Sequence, residues 1–299
     1  MAIAKTLQGR LLCAGICAYG INDAGQYIPK LPYNQAAGWE ASHPPVAVFG
    51  GEGNINACLV GKTPDGIVVA FRGTFPPALT IPSITDWWQG IIDCPPTMAG
   101  RIPGRVHSGF RNAVNDIWEG VVASVQQFRQ VYPNCPLYIT GHSKGGAMAG
   151  IAAAQIVFND NRLPHPEAVY TFGSPHAGDT RFVNGFPASI PVMRYENALD
   201  IVSFLSPEDG FIKLVARIPY VGPLFERALG WDYDMLGELR FIEEDHTVTE
   251  SYFGLPYIRI GELIWNMAQG ETGFVKITNA HRWGCGSGYF SAICPDVDC

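Results

Sequence analysis

The chain has 299 residues, 47% hydrophobic and 16% charged. That balance excludes a disordered chain or a coiled coil, both of which need far more charge. The formal net charge is −7, and the 20 Lys and Arg form no run, so a nucleic-acid binder, which needs a basic footprint, is disfavoured.

No apolar run reaches the roughly 18 residues that cross a bilayer, so no transmembrane segment is expected. Length and hydrophobic content suit one domain, residues 1–299. The first twenty residues, MAIAKTLQGRLLCAGICAYG, have a weak basic-then-apolar look without a persuasive A-x-A cleavage site and read as an amphipathic helix. Within it, Cys13 and Cys17 read as two buried thiols. The eight cysteines contain no CxxC pair, which leaves a zinc site without its tightly spaced ligands. Cys94, Cys285, Cys294 and Cys299 are candidates for disulfides if the protein is exported.

Two extended stretches follow, NACLVGK and GIVVAFRG, separated by the turn T-P-D-G. The unbroken run GIVVAF predicts a strand buried on both faces. Phe110, Val114, Ile117, Trp118, Val121, Val122, Val125 and Phe128 form one stripe of a 3.6-residue period, predicting a helix that ends at Tyr132-Pro133. The pattern then alternates: PLYITG is a strand and KGGAMAGIAAAQIVF a buried helix. AVYTFGSP is a strand, GDTRFVNGF a short helix and IPVMRYEN a strand. MLGELRFIEE and TVTESYF add two further strands, and a helix runs from Pro256 to Gly270. Alternating strands and helices predict an α/β fold with a mostly parallel central sheet flanked by helices.

Gly141-His142-Ser143-Lys144-Gly145 fits G-x-S-x-G and lies between a predicted strand and a predicted apolar helix, the context that a nucleophile elbow requires. The serine of such an elbow sits on a strained turn that lifts its hydroxyl clear of the sheet. The helix behind it aims the positive end of its dipole at the site. The bland alternative is a glycine-rich turn with an idle serine.

A serine nucleophile needs a general base and the base needs an orienting carboxylate, in the chain order Ser, acid, His. His165, His176, His246 and His281 follow the serine. His281 is favoured because it follows the last predicted helix, where a C-terminal loop overhangs the elbow. His176 could reach the rim of the site, His165 lies in a loop, and His246 sits in the acidic hairpin E-E-D-H. Asp200 stands just past a strand end, where the sites of parallel sheets gather. Asp179 reads instead as a helix cap and Asp209 as a turn residue. For the oxyanion, one backbone donor is expected from Lys144 and another from the turn Arg72-Gly73-Thr74, with the Thr74 hydroxyl in support.

Taken together these residues resemble the class 3 lipases, a family of filamentous-fungal triacylglycerol lipases with bacterial and plant relatives. The matching pieces, in order, are Ala18-Tyr19, Val69-Ala70-Phe71-Arg72-Gly73-Thr74, Asp86-Trp87, Val106-His107-Ser108-Gly109-Phe110, Gly141-His142-Ser143, Phe172-Gly173-Ser174-Pro175, Asn197-Ala198-Leu199-Asp200, and His281 ahead of Tyr289. The resemblance implies an α/β-hydrolase fold, with Ser143 as nucleophile, Asp200 as acid, His281 as base, and Thr74 and Lys144 as oxyanion donors. It also implies that Asp86 supports the Thr74 loop and that His107 is structural. The implied reaction is hydrolysis of acylglycerols or other lipid esters, at a lipid–water interface in some settings, through chemistry that needs no metal or organic cofactor. A feruloyl-type or small-ester esterase shares the same core. A catalytically dead binding module is a further reading, and an acyltransferase another. The resemblance favours an extracellular setting.

The sequence departs from the family in three places. Lys144 stands where the elbow usually carries leucine, and its charge could act on His281 or on acyl preference. Phe75 to Thr85 is proline-rich where many relatives have a lid helix. Ser206 to Trp231 is an enlarged apolar segment between acid and base, expected as a lid or acyl-pocket wall, or else as ordinary core packing.

Overall fold

The apolar runs assemble one sheet. The computed structural model describes residues 2–74, 90–206, 209, 212–213, 226–250, 258–259, 261–262, 265–266, 269 and 271–298. Its main sheet has eight strands in the order β1-β2-β3-β6-β7-β9-β11-β12. These are β1 (Val46–Gly50), β2 (Asn56–Lys62), β3 (Ile67–Phe71), β6 (Leu137–His142), β7 (Ala168–Phe172), β9 (Val192–Asn197), β11 (Glu238–Ile242) and β12 (Val248–Thr249). The run β3-β6-β7-β9-β11 is parallel, and the outer pairs β1-β2, β2-β3 and β11-β12 are antiparallel. All five residues of β3 are buried, as an apolar run without alternation requires when both faces are covered.

Each face has its own core. One carries helices Ser108–Asn115, Trp118–Val131 and Lys144–Phe158, with Val69, Phe71, Trp118, Val125 and Met148 among its buried residues. The other is built on helices Leu7–Ala18 and Gly288–Ile293, around Leu11, Leu12, Phe172, Tyr289 and Phe290. The Thr6 hydroxyl caps the first of these by accepting from Gly9 N, and Ser287 caps the last by accepting from Phe290 N. Among the described residues no helix is long and apolar enough to cross a membrane.

The parallel register brings four strand ends to one edge. Phe71 pairs with Gly141 and His142 with Phe172, so β3, β6, β7 and β9 all deliver their C-terminal loops to the same crevice.

Several expectations need correction. The stripe from Phe110 to Phe128 belongs to two helices that break at Asp116 and Ile117, where φ of Ile117 is −119°. Asp116 accepts a hydrogen bond from Asn56 Nδ2 there. The stripe survives because its residues still all reach the core. TVTESYF contributes only Val248–Thr249 among the described residues. Of the helix expected from Pro256 to Gly270, positions 258–259, 261–262 and 265–266 are helical, position 269 is a turn, and the rest lies outside the described residues. Cys285 is disulfide-bonded, but Cys94 and Cys294 are free thiols. Cys294 is buried against Cys13, Sγ to Sγ 3.8 Å. A second sheet of two-residue strands, β10-β8-β5-β4, was not foreseen; it comprises β4 (Pro96–Thr97), β5 (Val106–His107), β8 (Gly178–Asp179) and β10 (Tyr233–Asp234).

Candidate active site

The elbow is a backbone device. Ser143 sits between β6 and helix Lys144–Phe158 at φ 59°, ψ −134°, a left-handed conformation that L-residues adopt only where their surroundings enforce it. The flanking glycines make the enforcement possible. A methyl group on Gly141 would lie 2.1 Å from the Gly145 carbonyl oxygen, and one on Gly145 would lie 2.3 Å from that of Phe71. Ser143 N donates to Phe172 O at 2.9 Å. The side chain is buried, and its Oγ makes no hydrogen bond among the described residues.

Asp200 arrives on the turn after β9. Ala198 has φ 26°, and Asp200 N donates to Asn197 O at 2.7 Å. The carboxylate is fully buried and accepts from four donor contacts. His281 Nδ1 lies 3.0 Å from Oδ1 and 2.9 Å from Oδ2, Tyr289 Oη donates to Oδ2 at 2.6 Å, and Val202 N donates to Oδ1 at 2.9 Å. Burial and the neighbouring Asp200 charge push the Tyr289 phenol well above its ordinary pKa, so it stays a donor. A buried carboxylate with this many donors is fixed in place.

His281 follows helix Glu271–Ala280 and is held from behind. His142 Nε2 donates to the His281 carbonyl at 3.0 Å, which makes His142 Nδ1 the acceptor for the Tyr19 hydroxyl at 2.9 Å. Trp283 stacks on Tyr19 with ring centroids 4.3 Å apart, and lies 4.4 Å from the His142 ring. Burial first, then the neighbouring His281, holds His142 well below the usual histidine range, and it is neutral.

The loop after β3 runs beside the serine. A methyl group on Gly73 would lie 3.0 Å from Ser143 Cβ and 2.1 Å from Tyr19 Oη, so only glycine lets Thr74 follow so closely. The preceding Arg72 is buried and anchors that loop, donating to the carbonyls of Ile21, Asn54 and Ile55. Lys144 opens the elbow helix, where the first N–H groups have no intrahelical acceptor. Its side chain donates from Nζ to Asn56 Oδ1 at 2.6 Å, and Asn56 Nδ2 donates to Asp116 Oδ2 at 2.7 Å. Burial, then the nearby Arg72 charge, pushes Lys144 down to about 8. Asp86 and the 75–85 stretch lie outside the described residues, as does most of the 206–231 segment; Ile212 within it is buried.

The other candidates are placed elsewhere. His176 does not reach the rim: it is buried behind the elbow helix in a pocket with Thr171, Ser174 and Arg194. Burial and the Arg194 charge push it down to about 3. His165 and His246 are exposed. Asp179 caps helix Thr180–Gly185 by accepting from Phe182 N at 2.9 Å, and Asp209 accepts from Gly230 N. His107 caps helix Ser108–Asn115 through Nδ1 and donates from Nε2 to Ile91 O. Sequence reasoning missed Trp283 and Arg259, which carry no motif, and the bridge made by His142, whose position in the elbow was its one visible signal.

Parallel sheet, left-handed serine elbow and convergent strand ends define the α/β-hydrolase class. The class 3 lipase profile, "Lipase (class 3)", matches residues 68–210. Among curated relatives, a lipase of Rhizomucor miehei is 32% identical over 150 residues, covering 49% of this chain and 39% of its own length. The "Secreted mono- and diacylglycerol lipase 2" of Gibberella zeae is 31% identical over 168 residues, covering 50% and 39%. The match thus spans about two-fifths of these relatives' own length. In three dimensions, the Rhizomucor miehei triacylglyceride lipase superposes with a TM-score of 0.55 at 21% identity, over 83% of this chain and 87% of that one. Residues 68–210 thus match the class 3 lipase family, and the chain resembles these fungal lipases in sequence and in fold.

Proposed function

We propose that this chain is a carboxylic ester hydrolase acting on lipid esters of the acylglycerol type, with Ser143 as nucleophile, His281 as general base and Asp200 as its orienting acid. The observation that carries this reading is the buried Asp200 carboxylate gripping His281 Nδ1 through both oxygens, with the His281 backbone tied to the residue before Ser143. An ionised carboxylate accepts only, so Nδ1 bears the hydrogen and Nε2 is the basic nitrogen. His281 Nε2 takes the Ser143 proton as Oγ attacks the ester carbonyl. The oxyanion that forms is held by the N–H groups of Thr74 and Lys144 and by the positive end of the elbow helix. His281 then protonates the departing alcohol, leaving an acyl-enzyme on Ser143. A water activated by the same histidine cleaves that ester and restores the serine. The Thr74 hydroxyl and Asp86 complete the oxyanion loop in this reading. The class 3 lipase match over residues 68–210 and the similarity to a secreted mono- and diacylglycerol lipase of Gibberella zeae support acylglycerols as the substrate class.

The test is hydrolysis of p-nitrophenyl esters from acetate to palmitate by wild type and Ser143→Ala. Turnover by the wild type and a loss of roughly 10³-fold or more in the variant are expected, with the rate rising toward the longer chains. Equal turnover by both proteins overturns the assignment. A sharp acetate optimum moves the chain to the small-ester esterases.

A further inference from the structure

The loop carrying Asp200 is strained and needs something to hold it. Ala198 adopts φ 26° between β9 and Asp200, a conformation that persists only where surroundings over-determine it. Arg259 supplies that surrounding from a helical position 59 residues further along the chain. Its side chain is 3% exposed. Nε donates to Ala198 O at 3.0 Å, Nη2 donates to Asp200 O at 3.2 Å, and Nη1 donates to Glu196 Oε2. The guanidinium plane is covered by Phe204, whose ring centroid lies 4.4 Å from Cζ, and by Phe241 at 5.2 Å. One planar fork thus reaches three acceptors within the five residues Glu196 to Asp200, a pattern lysine cannot copy.

We propose that Arg259 is a positioning residue for the hydrolysis: it pins the Ala198–Asp200 turn and, balanced by Glu196, sets the net charge behind the Asp200–His281 pair. The proposal rests on the reading of Asp200 and His281 given above. The charged and titratable groups around Arg259 are Glu196 and Arg194 from β9, Asp200 and Tyr289, and Glu262 on its own element. Arg194 pairs with the other Glu196 oxygen. With Asp200 ionised, the cluster of Arg194, Glu196, Asp200 and Arg259 is neutral. Removing Arg259 alone leaves one net negative charge beside His281, whose ring also lies against the neutral His142. A negative charge favours the protonated imidazole, so the base titrates at higher pH.

Three variants separate position from charge: Arg259→Lys, Arg259→Met, and Arg259→Met combined with Glu196→Gln, which restores neutrality. Two readouts are used: the His281 ring titration by NMR in histidine-labelled protein, and kcat and KM for a p-nitrophenyl ester across pH. In Arg259→Met the His281 titration and the acid limb of kcat/KM move up together by about half a pH unit or more. In the neutral double variant both return toward wild type, while kcat stays about tenfold or more below wild type with KM within about twofold, because the fork is gone. Arg259→Lys keeps the titration and recovers only part of kcat. If Arg259→Met fails to fold, the lysine and double variants carry the same comparison. Folded variants that lose thermal stability alone, with titration and kcat unmoved, overturn the proposal. An unmoved titration in an enzyme that hydrolyses esters removes Arg259's role alone. A shifted titration in a protein whose wild type hydrolyses no ester removes the proposed reaction and leaves the Arg259 clamp on the pair standing.

Discussion

His142 Nε2 donates to the main-chain carbonyl of His281 at 3.0 Å, joining the residue before the elbow serine to the histidine that follows it by 139 positions. The two rings lie 4.5 Å apart. One hydrogen bond therefore fixes the spacing between the strand end that bears Ser143 and the loop that bears the proposed base. His142→Phe keeps the ring volume and removes the donor. It is expected to lower kcat by about 10- to 100-fold with little change in KM, the scale of a misplacement near 1 Å. Unaltered kcat in a folded variant would show that Asp200 alone positions His281.

Gly173 lies at φ +56°, and a methyl group there would sit 2.6 Å from Asp200 Oδ2, 2.9 Å from Tyr289 Oη and 3.0 Å from His281 Nδ1. Gly173→Ala must therefore strain the backbone and pry apart the carboxylate's donors. A loss of about 1–3 kcal/mol in stability is expected from the left-handed conformation, with at least a tenfold loss in kcat. Urea titration and steady-state kinetics check both parts. A stable, fully active alanine variant would contradict the geometry.

Lys144 gives a basic-side signature. Burial lowers it from 10.5 to about 8, so the folded chain releases this proton before the unfolded chain does. Below pH 8 both states hold the proton, and the cost of burying the cation is paid in full. Stability from this group rises between pH 8 and 10.5 by up to about 1.4 kcal/mol per unit and is complete above that window. Lys144→Met removes the slope. The difference in stability between variant and wild type, measured at pH 7, 9 and 10.5, should shift steadily in favour of wild type. A difference independent of pH would contradict the lowered value.

His107 and His176 give an acid-side signature. Burial lowers them from 6.5 to about 4 and about 3. Falling pH protonates them first in the unfolded chain. Stability that is complete above pH 6.5 is therefore lost between pH 6.5 and about 4 for His107, and down to about 3 for His176, at up to about 1.4 kcal/mol per unit for each. His176→Gln should unfold at a urea midpoint that falls less between pH 7 and pH 5 than that of wild type. Parallel curves would show that His176 is not held neutral.

Much of the site was legible because its chemistry is written in short motifs with local geometry. The elbow glycines, the strand ends at Phe71, Phe172 and Asn197, and Asp200 all lie within a few residues of a recognisable strand. The break at Asp116 was not legible because the stripe from Phe110 to Phe128 keeps its period across it, and the side chain that Asp116 meets there, Asn56 on β2, is 60 positions away. The small four-strand sheet was invisible because two-residue strands have no period. Arg259 was invisible for a different reason: nothing local marks it, and its role comes from the three acceptors that the fold brings to it. The destination of the Lys144 side chain is equally non-local, since Asn56 is 88 positions away.

The central claim is that Ser143 is a nucleophile activated by His281. A p-nitrophenyl alkylphosphonate tests it directly, because an activated serine displaces p-nitrophenolate and keeps the phosphonyl group. One equivalent of p-nitrophenolate per chain is predicted, with the mass increment on the peptide containing Ser143. Ser143→Ala should take no label, and His281→Ala should label at least a hundredfold more slowly. An adduct on any other residue, or equal labelling of wild type and Ser143→Ala, would contradict the account.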